Sequence, residues 1–441
     1  MNQLIDESPD ITSVFVLSVT DFQYFRSNVK INGICEDEFK RHLEKTKIPN
    51  WISNAPNLEK ILIGNYSEIV PVTAEFVQTL NCNYRCVQCA YMKTKQEKGS
   101  WLRNVPASPE LHMTEGVMKT TLDKLAEGGV RNILFTGGGE PLMHPLAIQA
   151  MEHAKRNGNV VALYTNGRLL TKRKISRILE LDPLFVRISV YGGNQKTVAS
   201  YTQTTDPNSF KIVIRNIEAM AEEKERVGSK MKLGLSYLIH PITSGSIDEF
   251  ADTILRMKHM DQIDYIRFTP AVDYSNGRQH DQRYMEEIFQ NIGENVAKRF
   301  EGTPIKLKLY YHRLQDLNKR KSYTHCRASG WFVEVDPAGD LFLCCETHFK
   351  PEYRIGDLKT QSLDEIWSGN LRKSIIARVN DSNCHACPTL CKPNELNKIF
   401  DVVEQFRDAG EIDQVEGWAK DLVRYGKECG YCPGKLDDFQ S

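Results

Sequence analysis

The sequence has no surplus of charge. Lys plus Arg number 57 and Asp plus Glu number 57 among 441 residues. Without a net field, the chain has no electrostatic footprint for nucleic acid or for an anionic membrane surface. It also lacks an apolar run long enough to span a bilayer. The first residues, MNQLIDESPDITSVF, lack the basic flank and apolar core of a secretion signal, so the expected location is cytoplasmic. No internal repeat or low-complexity tract stands out, so solenoids and disordered arrays are not indicated.

What the chain does have is cysteine, 12 residues of it. In a reducing cytosol such thiols serve as metal ligands or catalysts rather than disulfides. Cys82, Cys86 and Cys89 form one group. Cys326, Cys344, Cys345, Cys384, Cys387, Cys391, Cys429 and Cys432 lie in the last third. Cys35 stands alone and reads as a buried structural thiol.

From about residue 72 to 269, apolar strand-like runs alternate with amphipathic helical patterns. The strand candidates are TAEFVQTL, NILFTG, VVALYTN, FVRISVY, LGLSYLI and YIRFTP. Helical patterns between them include TEGVMKTTLDKLAEGG, PLAIQAMEHAKRNG and DEFADTILRMKHM. Six β–α repeats predict a parallel sheet with helices outside, closing toward a barrel whose chemistry sits on the loops after the strands. Residues 1–70 form an N-terminal extension or cap, with SVFVLSV and LEKILIG as strands and EDEFKRHLEK as a helix. Residues 71–300 form the core. In residues 301–441 the regular alternation stops and cysteines dominate.

Cys82 directly follows the first strand, so CNYRCVQC occupies the first loop of the catalytic face. Three thiolates can hold a four-iron cluster with one iron left open, whereas zinc normally takes a fourth ligand. A redox disulfide needs only one pair. TGGGEP, residues 136–141, follows the second strand; its glycines allow close backbone approach, and Glu140 adds an acceptor.

On these residues the chain resembles the radical S-adenosylmethionine (radical SAM) enzymes over about residues 72–270. The resemblance implies a partial (β/α)6 barrel of the TIM type. It implies that Cys82, Cys86 and Cys89 ligate a [4Fe–4S] cluster whose open iron chelates S-adenosylmethionine. Gly138, Gly139 and Glu140 match the motif that binds the methionine amino group. Ser189, in VRISVY, matches a ribose-contacting position; Leu238 and Arg267 are weaker matches on later strands. Ser189 and Arg267 also read as ordinary polar residues at strand ends. The family's aromatic residue before the third cysteine is Gln88 here, which leaves Tyr84 or Tyr91 for the adenine contact. An Asp of the strand-four motif is replaced by Tyr191.

Residues after Cys326 read as a hairpin around DPAGD that brings Cys326 and Cys344 to neighbouring ends. With Gly339, the GDL segment and SLDEIW, this resembles the SPASM/Twitch extension, which implies one or two auxiliary [4Fe–4S] clusters. Cys326, Cys344, Cys384, Cys387, Cys391, Cys429 and Cys432 are the candidate ligands. The usual CX5CX3C ending is absent, and a helical stretch precedes CGYC. Two CX2C pairs, Cys384–Cys387 and Cys429–Cys432, also suit a structural zinc.

The resemblance implies an iron–sulfur oxidoreductase or epimerase. It would cleave S-adenosylmethionine reductively and use the 5′-deoxyadenosyl radical on a small polar metabolite of sugar, aminocyclitol or nucleoside type. The alternative substrate is a ribosomal precursor peptide, cross-linked or epimerised. Cys345 and Cys432 are candidate hydrogen donors, and the electron donor would be a flavodoxin or ferredoxin. A non-enzymatic iron–sulfur scaffold or sensor leaves the GGGEP turn unexplained.

Overall fold

The computed structural model describes residues 60, 63–89, 112–271, 281–310, 321, 323–347, 350–382, 384, 391, 394, 397, 400, 404 and 407–410. Seven parallel strands follow one another across a sheet: β1 (Thr73–Val77), β2 (Asn132–Thr136), β3 (Val160–Thr165), β4 (Phe185–Val190), β5 (Lys232–Ile239), β6 (Tyr265–Pro270) and β7 (Lys306–Leu309). Three short strands extend the sheet beyond β1: β8 (Phe332–Val335), β9 (Asp340–Phe342) and β10 (Arg354–Asp357), with β8–β9 and β9–β10 antiparallel. This is the α/β partial barrel that the repeat pattern predicts. The seventh strand departs from that reading. In KLKL only every second residue is apolar, so four residues give too short a signal to extend the count past residue 300.

The crossovers are α1 (Glu115–Glu127), α2 (Ala147–Arg156), α3 (Lys172–Glu180), α4 (Gln195–Thr202), α5 (Ser209–Val227), α6 (Ile247–Leu255) and α7 (Gln282–Asn291). Their starts are chemically marked. Thr114, Thr171 and Asn194 each accept a backbone N–H three residues on, a cap that contributes about 1 kcal/mol. Alternation along each strand separates two faces. Phe76 meets Phe135 edge-on, and Tyr237 and Phe268 pack against Phe250 of α6, so these positions face the helices. The intervening positions of β4–β7 line the barrel interior and include the polar residues Arg187, Ser189, Ser236, Arg267 and Lys308.

The described residues fall into two units. The first takes in 72–310 and 333–366, and so draws on both the core and the cysteine-rich stretch. The second takes in 60–71, 321–332 and 367–410. Its core includes Trp331 stacked on Phe400, with centroids 6.0 Å apart, and Tyr66 set edge-on to Phe400. α8 (Asn370–Asp381) buries Arg372, whose guanidinium lies 3.7 Å over the Trp367 ring and donates to the Ser67 and Trp367 carbonyls. The expected elements SVFVLSV and EDEFKRHLEK lie outside the described residues. Of LEKILIG, the described positions Lys60, Ile63 and Gly64 are helix and turn rather than strand.

The β8–β9 hairpin is held by an Asx turn. Asp336 Oδ1 accepts from the N–H groups of Ala338 and Asp340, each at 2.9 Å. Gly339 takes φ +85°, and a Cβ there would press to 3.0 Å of Val117 on α1. Burial, then the Asp340 charge, pushes the Asp336 carboxyl up from 3.8 to about 7. The folded chain therefore binds one more proton than the unfolded chain between about pH 4 and 7. This contribution to stability is full at low pH and is lost as pH rises through the folded value, with a slope of at most about 1.4 kcal/mol per unit. Urea unfolding of the wild type and Asp336→Asn from pH 5.5 to about 7.5 should show a steeper decline in the wild type. Parallel pH profiles would remove Asp336 as the titrating group.

Candidate functional site

Three loops meet at the C-terminal ends of β1, β2 and β3. The first carries Cys82, Cys86 and Cys89. Backbone bonds fasten its middle to the end of α4, with Arg85 N donating to Thr202 O (2.9 Å) and Val87 N to Tyr201 O (3.0 Å). Cys89 N closes a turn on Cys86 O. Cys82 Sγ receives the N–H of Tyr84 at 3.5 Å.

The second loop, Gly137–Glu140, runs beside the first. Gly139 N donates to Thr79 O and Glu140 N to Asn81 O. A Cβ on Gly139 would fall 2.1 Å from the Asn81 carbonyl oxygen, so only glycine permits this approach. His112 braces the first loop from its other side, 2.9 Å from Thr79 Oγ1 and 2.8 Å from the Asn81 amide.

Glu140 is 2% exposed and its carboxylate is engaged inside the protein. Oε1 accepts from Leu142 N (3.1 Å) and Thr165 Oγ1 (2.6 Å), and Oε2 accepts from Asn166 N (2.7 Å). Burial pushes its carboxyl up from the ordinary carboxylate range, while those donors and Lys174 pull the other way. The geometry therefore gives Glu140 an immediate role that the motif reading did not include: it ties the second loop to the end of β3. Asn166 continues the link, donating from Nδ2 to Asn83 Oδ1 at 2.7 Å. Asn83 follows Cys82, so the three loops form a closed ring.

The thiols suit a cationic cluster. Burial pushes Cys82 up to about 11 and Cys86 well above its ordinary value, and the neighbouring thiols push further. Left to themselves these groups stay protonated; a bound metal cation is what holds such ligands as thiolates. Among the described residues, no three His, Cys, Asp or Glu side chains close around a single ion. Asn83, the residue after Cys82, adds a buried Nδ2 with no hydrogen-bond partner. The donor set thus fits a polynuclear sulfur-rich group.

The other expected contacts are distributed unevenly. Tyr84 is 3% exposed, its hydroxyl is 2.7 Å from Ser209 Oγ, and its ring meets Tyr191 edge-on. It is a packing residue rather than an open adenine platform; Tyr91 lies outside the described residues. Tyr191 stacks on Tyr201 and hydrogen-bonds Ser189, which fills the place of the missing Asp with an aromatic wall. Arg267 is buried in the barrel, its Nε 2.6 Å from Thr269 Oγ1 and its guanidinium 4.1 Å over Tyr310.

In the second unit, Cys326, Cys384 and Cys391 come together around Tyr323, whose hydroxyl their charges and burial push upward. A hydrogen bond from Cys384 lowers Cys326 to about 6 against the effect of burial; Asn397 Nδ2 also donates to its sulfur, at 3.6 Å. Cys384, three residues past the end of α8, sits at φ +56° with its thiol 3.8 Å from the Thr324 carbonyl. Cys344 and Cys345 are buried after β9 in the first unit, where Thr347 caps Cys344 N. Cys387, Cys429 and Cys432 lie outside the described residues. The sequence reading missed Thr165, Asn166 and Asn83. A polar pair ending a strand, TN before Gly167, was the available signal, since such ends face the site.

Comparison with known proteins places two domains on this geometry. Residues 77–254 match the radical SAM superfamily, and residues 326–388 match SPASM, an iron–sulfur cluster-binding domain. The dTDP-4-amino-4,6-dideoxy-D-glucose ammonia-lyase of Streptomyces venezuelae is 26% identical over 286 residues, covering 61% of this chain and 56% of that enzyme. The subtilosin biosynthesis protein AlbA of Bacillus subtilis is 22% identical over 309 residues, covering 68% and 60%. The chain thus spans little more than half the length of these curated relatives. The crystal structure of Streptococcus suis SuiB superposes with a TM-score of 0.53 at 13% identity, covering 85% of this chain and 82% of SuiB, a likeness of fold.

The ring of loops predicts a stability effect. Glu140→Ala leaves three donors without their acceptor and should destabilise the chain by on the order of 3 kcal/mol. Glu140→Gln, which turns an amide N–H toward Asn166 N, should fall between. Urea unfolding tests this, and an unchanged midpoint for the Ala variant would detach Glu140 from the ring.

Proposed function

Because the chain belongs to the radical SAM superfamily and carries a SPASM iron–sulfur domain, we propose that it is a radical SAM enzyme acting on a small polar metabolite of sugar type. The radical SAM domain binds S-adenosylmethionine and a [4Fe–4S] cluster, and we assign Cys82, Cys86 and Cys89 as its ligands. When bound, that pair supplies reductive cleavage of the sulfonium and a carbon radical able to take hydrogen from an unactivated C–H bond. The observation that carries the assignment is the closed ring of loops with three half-buried thiols on the first of them.

The chain's own residues do the rest. Glu140, Asn166 and Asn83 fix the thiol loop relative to the glycine turn. Gly138 and Gly139 keep side chains away from the space where the methionine end of S-adenosylmethionine is expected, with Glu140 orienting the turn. Ser189 and Arg267 face the barrel interior with Ser236 and Lys308, a polar lining suited to a polar substrate. The Tyr84–Tyr191–Tyr201 packing closes one side against water. Cys326, Cys344, Cys384, Cys387, Cys391, Cys429 and Cys432 are the candidate ligands of one or two auxiliary clusters; Cys345 and Cys432 remain the candidate hydrogen donors. A flavodoxin or ferredoxin in the cytoplasm would supply the electron. Support for the substrate class comes from the similarity to the amino-sugar lyase, which extends over more than the radical SAM domain.

Replacing Cys82, Cys86 and Cys89 together by Ala should lower iron by about four per chain and abolish cleavage of S-adenosylmethionine, with the C-terminal iron retained. Continued cleavage would refute the assignment. Deuterium transfer into 5′-deoxyadenosine from nucleotide-linked deoxyamino sugars, but not from precursor peptides, is the expected substrate result. The reverse pattern would favour the peptide reading that the similarity to AlbA represents.

A further inference from the structure

The amide of Asn83 is oriented by a chain of bonds. Asn166 Oδ1 accepts the N–H of Arg168 at 3.1 Å, so its NH2 group must face the thiol loop. There it donates to Asn83 Oδ1 at 2.7 Å and lies 4.0 Å from Cys82 Sγ. The Asn83 oxygen is claimed by Asn166 and lies 4.0 Å from Cys82 Sγ, so Asn83 has only its NH2 group to offer in the other direction, toward the space beyond Cys82. That group is buried and has no hydrogen-bond partner. A buried donor without an acceptor is costly, and native proteins rarely keep one that no ligand, ion or water satisfies. The neighbouring chemistry is sulfur: Asn83 sits between Cys82, whose Sγ already receives Tyr84 N–H, and the rest of the thiol loop.

We propose that Asn83 and Asn166 form an amide pair that donates N–H hydrogen bonds to the sulfur of the cluster held by this loop, and so sets its reduction potential. The inference rests on reading Cys82, Cys86 and Cys89 as cluster ligands. Reduction adds one negative charge to the cluster. N–H donors stabilise the more negative state more strongly, and hydrogen bonds to the sulfurs are one of the levers on such potentials. Asn166 serves twice, as a donor toward Cys82 and as the residue that points Asn83. Asn83 is then the positioned donor and Asn166 the positioning residue.

The experiment uses the full chain, purified and reconstituted anaerobically. The cluster in question is identified as the one whose EPR signal changes on adding S-adenosylmethionine. Its midpoint potential is read by EPR-monitored reductive titration, with iron per chain measured alongside. Asn83→Leu keeps the bulk and removes the amide. Asn83→Asp keeps the oxygen that Asn166 holds and replaces the NH2 group by an acceptor. Both should retain iron and move the midpoint to more negative potential. The Asp variant should move further, by at least a tenfold change in the reduced-to-oxidised ratio, about 59 mV for one electron. Asn83→Gln should lie nearest the wild type.

A variant that keeps its iron with the wild-type midpoint overturns the proposal and leaves the ligand assignment standing. Loss of iron from both the Leu and the Asp variants, with folding intact by circular dichroism, also overturns it, because the amides would then build the loop rather than tune the cluster. An S-adenosylmethionine-sensitive signal that survives replacement of all three loop cysteines defeats the underlying assignment instead.

Discussion

The arrangement at the top of the barrel depends on one buried carboxylate. Glu140 is removed from water, a costly position for a charge, and it is tolerated there because three N–H or O–H donors converge on it. Those donors come from its own loop and from the end of β3. Its backbone N–H is spent on Asn81, just before the first cysteine. One side chain therefore fixes where two loops sit, and through Asn166 it reaches the third. Parallel strands bring their loops to the same edge but leave them independent of one another. The ring makes them a single rigid object.

Glycine is the other half of that constraint. The second loop can lie against the first only where no Cβ intervenes, and at Gly139 the Asn81 carbonyl already fills the space a Cβ would need. The same logic recurs far away at Gly339, where a turn with positive φ packs against α1 and starts the strand leading to Cys344. In both places a backbone approach, rather than a side chain, decides where a cysteine segment begins. In the second unit the device differs. Cys326, Cys384 and Cys391 converge because Asn380, Asn397 and Asn394 make side-chain bonds to backbone or tyrosine around them.

Much of this was legible before any coordinates. The period-two and period-3.6 patterns placed six strands and their crossovers, because parallel strands buried on both faces read as apolar runs. The cysteine spacing and the glycine turn located the first two loops. What the pattern did not give were the links between loops. Thr165, Asn166 and Asn83 are common polar residues with no spacing rule, and they meet only because β1, β2 and β3 lie side by side. Tyr84 illustrates the opposite error: an aromatic beside the cysteines suggested a ligand platform, yet its hydroxyl and ring are consumed by Ser209 and Tyr191. β7 was missed because four alternating residues carry too little periodic signal.

The thiol loop is fastened to the last turn of α4 through the carbonyls of Tyr201 and Thr202. Those carbonyls form the negative pole of the helix dipole, and its influence is confined to about one turn. A group held against that pole gains an electron less readily than the same group in neutral surroundings. On the proposal that the Asn83 and Asn166 amides donate to a cluster, those amides and this carbonyl pole would act as opposing electrical biases on it. If the loop holds the proposed cluster, a substitution that frayed α4 would therefore shift that cluster's reduction potential without touching a cysteine.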